Sequence, residues 1–146
     1  MKVKRDHQRS RVYAWENRVV APHDPTFVSF AAAQGMVDAI WSEMGLRYPP
    51  AVEPLPPQAR ATIASANRLS IFLADQTPSW CLLHEIAHSM TSTADGQSDG
   101  HGRSFVGIYL RLIVRYLRRS TNELSESLDS AGIEFLINAH PTFIDL

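Results

Sequence analysis

Thr77-Pro78-Ser79-Trp80-Cys81-Leu82-Leu83-His84-Glu85-Ile86-Ala87-His88-Ser89-Met90-Thr91 is the stretch on which the reading of this chain turns. Thr77 followed by Pro78 reads as a cap and a first-turn proline, which opens a helix running to about Thr91. Leu82, Leu83, Ile86 and Met90 supply an apolar back to that helix. Within it, His84 and His88 are four residues apart. On a helix they are separated by roughly 40° of rotation and about 6 Å of rise, so both imidazoles face one way and can share a tetrahedral zinc ion. Glu85 follows the first histidine directly. From there its carboxylate can reach a zinc-bound water without binding the metal, and can take that water's proton.

A hydrolytic zinc site needs a third protein ligand and an open position. The common extension of the motif places a histidine six residues beyond the second, but Ala94 stands there and Thr91 replaces the usual glycine. The next candidate is His101, flanked by Gly100 and Gly102, which let the backbone turn and approach closely. The expected ligands are His84, His88 and His101. Asp95 and Asp99 are alternative oxygen ligands on the same small, polar loop, Thr91–Gly102. His7, His23 and His140 have no partner at metal-binding spacing and read as surface residues.

Around this centre the chain alternates helical and extended signals. Phe27, Phe30, Val37, Ile40, Trp41 and Met44 recur at helical steps, with Gln34 the polar exception. Asp24, Pro25 and Gly45 are the expected cap, first position and stop of that helix. Proline-rich Leu46–Pro57 forbids helix and suggests an extended connection or a short edge strand. Ala61–Ala66, including Thr62 and Ile63, and Ser70–Asp75 read as two strands turning at Asn67-Arg68. Phe105, Ile108, Tyr109, Leu112, Ile113 and Tyr116 define a long amphipathic helix. Ser120 and Glu123 form a capping box for a last short helix that stops at Gly132. Arg11–Val20 admits strand or helix, and Ile133–Ile137 a strand or an extended tail.

Length and composition are those of one globular domain: 146 residues, 45 % hydrophobic and 20 % charged, with a net charge of −1 that favours neither nucleic acid nor its avoidance. A single cysteine, Cys81, excludes an internal disulfide and a four-cysteine zinc site, and reads as a small buried hydrophobe. No apolar run approaches the roughly 20 residues that cross a bilayer, and Met1–Ser10 lacks a signal-peptide core, so no membrane association is expected and the expected location is cytoplasmic. Lys2, Lys4, Arg5, Arg9 and Arg11 make residues 1–10 read as a basic, solvated tail. Arg111, Arg115, Arg118 and Arg119 share one side of the long helix, as a solvated face or a phosphate-contacting stripe.

His84-Glu85-Ile86-Ala87-His88, the polar loop, and Asp99-Gly100-His101-Gly102-Arg103-Ser104-Phe105 together resemble the SprT-like zincins, which include the Spartan-type proteases. The likeness covers about Thr77–Tyr116. It implies an α+β, zincin-like domain over 1–146, with a short, mostly antiparallel sheet beside the active-site helix. It also implies zinc on His84, His88 and His101, Glu85 as catalytic base, and Phe105 as the aromatic that packs the following helix. The chain is also similar to a group of small bacterial metallohydrolases that share the Arg5-Asp6-x-Gln8-Arg9 opening. It departs from the SprT-like pattern in having no C-terminal zinc ribbon and no separate DNA-binding module. Zincins add an extended peptide to an exposed strand just before the active-site helix, a place that falls to Ser70–Asp75 here, unless that strand is fully paired.

The expected activity is therefore zinc-dependent hydrolysis, with a peptide or protein as substrate. Tyr109, Tyr116 and Arg103 are candidates for stabilising the oxyanion, and Trp80 reads as core or pocket wall. Two other readings fit the same residues. One is a protease restricted to a single partner protein. The other is a non-catalytic, zinc-stabilised domain that binds protein, or DNA through the arginine stripe and the basic N-terminus. Glu85 separates the last from the others, because a purely structural site has no use for it.

Overall fold

The computed structural model describes residues 6–56 and 64–143. The strand expectation at Thr62 and Ile63 and the basic residues Lys2, Lys4 and Arg5 lie outside them. Helix α3, Ser79–Met90, carries the histidine pair and is buried on nearly every side. It packs against the long helix α4, Arg103–Tyr116, and beneath a small sheet.

The start of α3 differs from the expectation. Thr77 does not cap it: Thr77 is buried in a strand, and Pro78 stands at the N-cap with no side-chain cap of its own. The cap comes from Asp24, whose Oδ2 accepts from the Trp80 backbone N–H at 2.8 Å and whose Oδ1 accepts from the Thr26 hydroxyl at 2.7 Å. Asp24 therefore caps a helix, but the histidine helix and not the one that follows it in sequence. A carboxylate beside the N-terminal amides also favours the helix dipole. Strand β1, Phe27–Ser29, makes this possible by pairing antiparallel with β5, Gln76–Pro78, which carries Asp24 across to α3.

Helix α2, Phe30–Glu43, accordingly starts later than the sequence suggests, with Ser29 accepting from Ala32 N–H, and ends before Gly45 in the left-handed region. Gln34, the polar break in its apolar stripe, is explained by the proline-rich segment beside it. Its amide accepts from Val52 N–H at 2.7 Å and donates to the Pro50 carbonyl at 3.0 Å. That pairing gives partners to the Pro50 carbonyl just before strand β2, Ala51–Pro54, and to the Val52 amide within it.

The second sheet has the order β2–β4–β3, with β3 spanning Ala64–Ala66 and β4 spanning Ser70–Leu73. β4 pairs parallel with β2 and antiparallel with β3, so the fold is α+β with small mixed sheets. Asn67 makes the expected turn, its Oδ1 accepting from the Leu69 and Ser70 amides. β4 is the inner strand, and among the described residues β2 and β3 are the two edges.

The N-terminal segment is also corrected. Arg9–Trp15 is an α-helix, α1, that passes into a wide π-helical turn, Glu16–Val20, resolving the open strand-or-helix choice. Nor are residues 6–10 a loose tail: Gln8 is buried, and its side chain bonds the His101 and Glu134 backbones. Trp15 anchors α1 by donating to Ser127 Oγ on α5, Thr121–Ser130, which Ser120 caps as expected. Residues 133–137 form no strand. The Leu136 amide donates to the Arg103 carbonyl, which lays this stretch against α4.

That contact is close. A Cβ on Gly107 would lie 2.0 Å from the Leu136 carbonyl oxygen and 2.8 Å from Ala139 Cβ. Backbone cannot yield as a side-chain tip can, so Gly107→Ala should destabilise the fold by at least the roughly 1–3 kcal/mol typical of overpacking. Urea unfolding of the variant measures this; a midpoint equal to that of the wild type would mean that the C-terminal stretch is not packed on α4.

Candidate metal centre and cleft

Two elements bring the histidines together. α3 presents His84 and His88 one turn apart, and the loop before α4 turns back to bring in His101. One ring nitrogen from each lies within 4.8 Å of the others, a separation that one ion can bridge. The Nε2 atoms of His84 and His88 are 3.0 Å apart, and His101 Nε2 is buried with no hydrogen-bond partner among the described residues. An orphaned nitrogen beside two others of the same kind is the donor set a metal needs. These three histidines, His84 and His101 buried and His88 half-buried, can hold a metal ion.

The opposite ring nitrogens are fixed. His84 Nδ1 donates to Glu16 Oε2 at 2.6 Å, and His101 Nδ1 to Asp6 Oδ2 at 2.6 Å. Each bond leaves an Nε2 lone pair facing the shared space. Tyr109 adds its hydroxyl to Glu16 at 2.7 Å, and burial together with that carboxylate pushes the phenol well up. Phe105 packs flat against His88, with centroids 4.2 Å apart, and edge-on to His84 and His101, so it is the floor on which all three rings rest.

The electrostatics follow from burial. Burial, reinforced by repulsion from His84 and His101, holds His88 well below the ordinary imidazole range. Burial likewise lowers His101, against the opposing pull of Asp6. At His84 burial is outweighed by the bond and charge of Glu16, with help from Glu85, so its pKa rises. Glu85 is 6 % exposed, and burial pushes its carboxyl up to about 7, with Glu16 adding to the shift and His84 opposing it. A carboxyl in that range can both take and return a proton at neutral pH. Burial also pushes the Cys81 thiol up to about 12, consistent with an inert core residue.

A cleft of about 360 Å³ opens onto His84, Glu85 and His88. One wall is the edge strand β3 with Asn67, the other the loop residues Ser92, Gly96, Ser98 and Gly100. Tyr13 closes one end. It is 40 % exposed, stacked 6.1 Å from His84 and edge-on 5.0 Å from His101.

Other candidates fall away from the centre. Asp99 Oδ2 accepts from the Ser104 amide and caps α4, and Gly102 lets it approach, since a Cβ there would lie 2.6 Å from that oxygen. Asp95 accepts from Thr93. Tyr116 bonds Glu43, and Arg103 bonds Glu134, both away from the histidines. Three of the four arginines on the α4 side bond the protein itself: Arg111 the Ala139 carbonyl, Arg115 Glu43, and Arg119 the Val19 carbonyl. His7, His23 and His140 are exposed.

The sequence did not place Asp6, Tyr13 and Glu16 against the histidines, where the structure puts them. Glu16 stands 68 positions from His84 and Asp6 95 from His101, so local periodicity carries no trace of either contact. The usable signal was chemical: each ligating imidazole calls for an acceptor on its other nitrogen.

No family model, curated protein or solved structure matches the chain. Among the described residues, no helix is long and apolar enough to cross a membrane.

Proposed function

We propose that this chain is a zinc-dependent hydrolase with a zincin-like, SprT-like centre, acting as a peptidase on an extended peptide or protein segment. The observation that carries this reading is the convergence of one ring nitrogen from each of three histidines beside a buried Glu85, in a cleft walled by an edge strand. His84, His88 and His101 would hold the zinc, which when bound supplies Lewis acidity to water and to a carbonyl.

The chain's own residues do the rest. Glu85, buried beside His84 and lining the cleft, takes a proton from the attacking water and passes it to the departing amine. The substrate strand lies along β3, which among the described residues is paired on one side only, and not along the inner strand β4. Small side chains on both walls, Ala64, Ser65, Ala66 and Gly96, leave room for a main chain. Tyr13 lines the cleft, and its hydroxyl has no hydrogen-bond partner among the described residues. Tyr109, in contrast, is 1 % exposed and tied to Glu16, which makes it a support of His84 and not an oxyanion donor.

Metal analysis of the purified protein, run beside a broad screen of protein and peptide substrates, tests the reading. One zinc per chain and metal-dependent cleavage are the expected results. A protein that takes up no zinc, or a zinc-loaded protein that cleaves no protein or peptide in the screen, would overturn it.

A further inference from the structure

The N-terminal segment contributes to the centre in a way that its basic composition conceals. His101 is gripped at three points by residues more than ninety positions away. Asp6 Oδ1 accepts from the His101 backbone N–H at 3.0 Å, and Asp6 Oδ2 lies 2.6 Å from the ring Nδ1. The side-chain amide of Gln8 donates to the His101 carbonyl at 2.9 Å. The grip has a steric counterpart at Gly100, which sits at φ +64, where a Cβ would come within 2.7 Å of Asp6 Oδ2. The loop is thus shaped to admit this carboxylate.

We propose that Asp6 is the positioning residue that makes His101 a metal ligand, by fixing which ring nitrogen carries the proton. This rests on the metal-centre reading above. A carboxylate can only accept, so its bond to Nδ1 requires the proton there and leaves the Nε2 lone pair free. Both Asp6 oxygens are engaged, one by a backbone amide that can only donate. An asparagine at position 6 has a single oxygen, and the backbone N–H cannot reverse its role. The asparagine NH₂ therefore falls opposite Nδ1. The ring answers by moving its proton to Nε2, where it blocks the metal. Changing one oxygen to nitrogen inverts the tautomer while preserving size and a hydrogen bond at each of the two contacts. Glu16 is less exposed to such inversion, because His84 and Tyr109 both meet the same oxygen and a glutamine can present its carbonyl to both.

The test uses the full chain, stripped of metal and titrated with Zn²⁺ against a chromophoric chelator, as wild type, Asp6→Asn and Asp6→Ala. Melting of each metal-free protein and long-range ¹H–¹⁵N spectra of the histidine rings accompany the titration. Asp6→Asn should weaken zinc binding by roughly 10–100-fold, the usual effect of losing such a partner, and should move the His101 proton from Nδ1 to Nε2. Asp6→Ala, which loses both bonds, should cost more metal-free stability yet weaken zinc binding no more than Asp6→Asn does. A merely structural Asp6 predicts the opposite order for zinc, because asparagine preserves more of the packing. Wild-type affinity in Asp6→Asn, or an unchanged His101 tautomer, overturns the proposal and leaves the metal centre standing. Failure of the wild type itself to bind Zn²⁺ overturns the centre, and this assignment with it. If Asp6→Asn does not fold, the Asp6→Ala titration decides, with wild-type affinity counting against the proposal.

Discussion

Glu85→Gln should reduce hydrolysis by at least roughly 10²–10⁴-fold, the usual effect of removing a general acid–base group, while leaving one zinc bound per chain. Glutamine matches glutamate in size and keeps a hydrogen-bonding end, but it cannot take a proton. The substitution should not harm the fold. Burial raises the Glu85 pKa to about 7, so in the metal-free protein the native state resists ionising this group. The cost starts as pH rises past the unfolded value near 4.5 and is complete above about 7. Glutamine never incurs it. The metal-free variant should therefore be at least as stable as the wild type at pH 8, with the difference shrinking toward pH 4. Turnover on whichever substrate the screen identifies, zinc stoichiometry and melting at the two pH values measure these outcomes. Retained turnover would sink the role given to Glu85; loss of zinc along with turnover would make it a ligand.

Removing the metal should have the next largest effect. His84 and His88 belong to α3 and His101 to the loop leading into α4, so an ion on all three closes the irregular stretch between residues 91 and 102. Binding to the folded state alone stabilises it by RT ln(1 + [L]/Kd), roughly 4 kcal/mol at a thousandfold excess of free metal over Kd. For a chain of this size that corresponds to a melting temperature lower by about 10 °C on chelation. His101→Ala should reproduce much of the shift and should respond little to added chelator. Equal melting curves before and after verified zinc removal would show that the centre does not link these elements.

The α3 histidine motif needed no tertiary information, because the i, i+4 geometry of a helix brings His84 and His88 together within one local element. The same holds for α4, α5 and the Asn67 turn, where apolar spacing and short-range capping act over a few residues. Gly100 and Gly102 marked His101 as a third candidate from sequence, and the structure brings it to the other two. What the chain could not disclose locally were its long-range pairings. Asp24 resembled the cap of α2 but reaches Trp80, because β1 pairs with β5 and a cap is satisfied by whichever amides are nearest in space. Strand β4 reads equally as inner or edge, since periodicity reports a strand and not its neighbours; the β2–β4–β3 order makes it the inner strand, and of the two edges it is β3 that lines the cleft. Residues 1–10 read as a solvated tail because their charges were counted without their partners, and Arg11–Val20 admitted strand or helix because its apolar residues keep no clean period. Once folded, Asp6 and Glu16 are the acceptors that two histidines require, and a buried imidazole secures such a partner from any part of the chain that packing brings within reach.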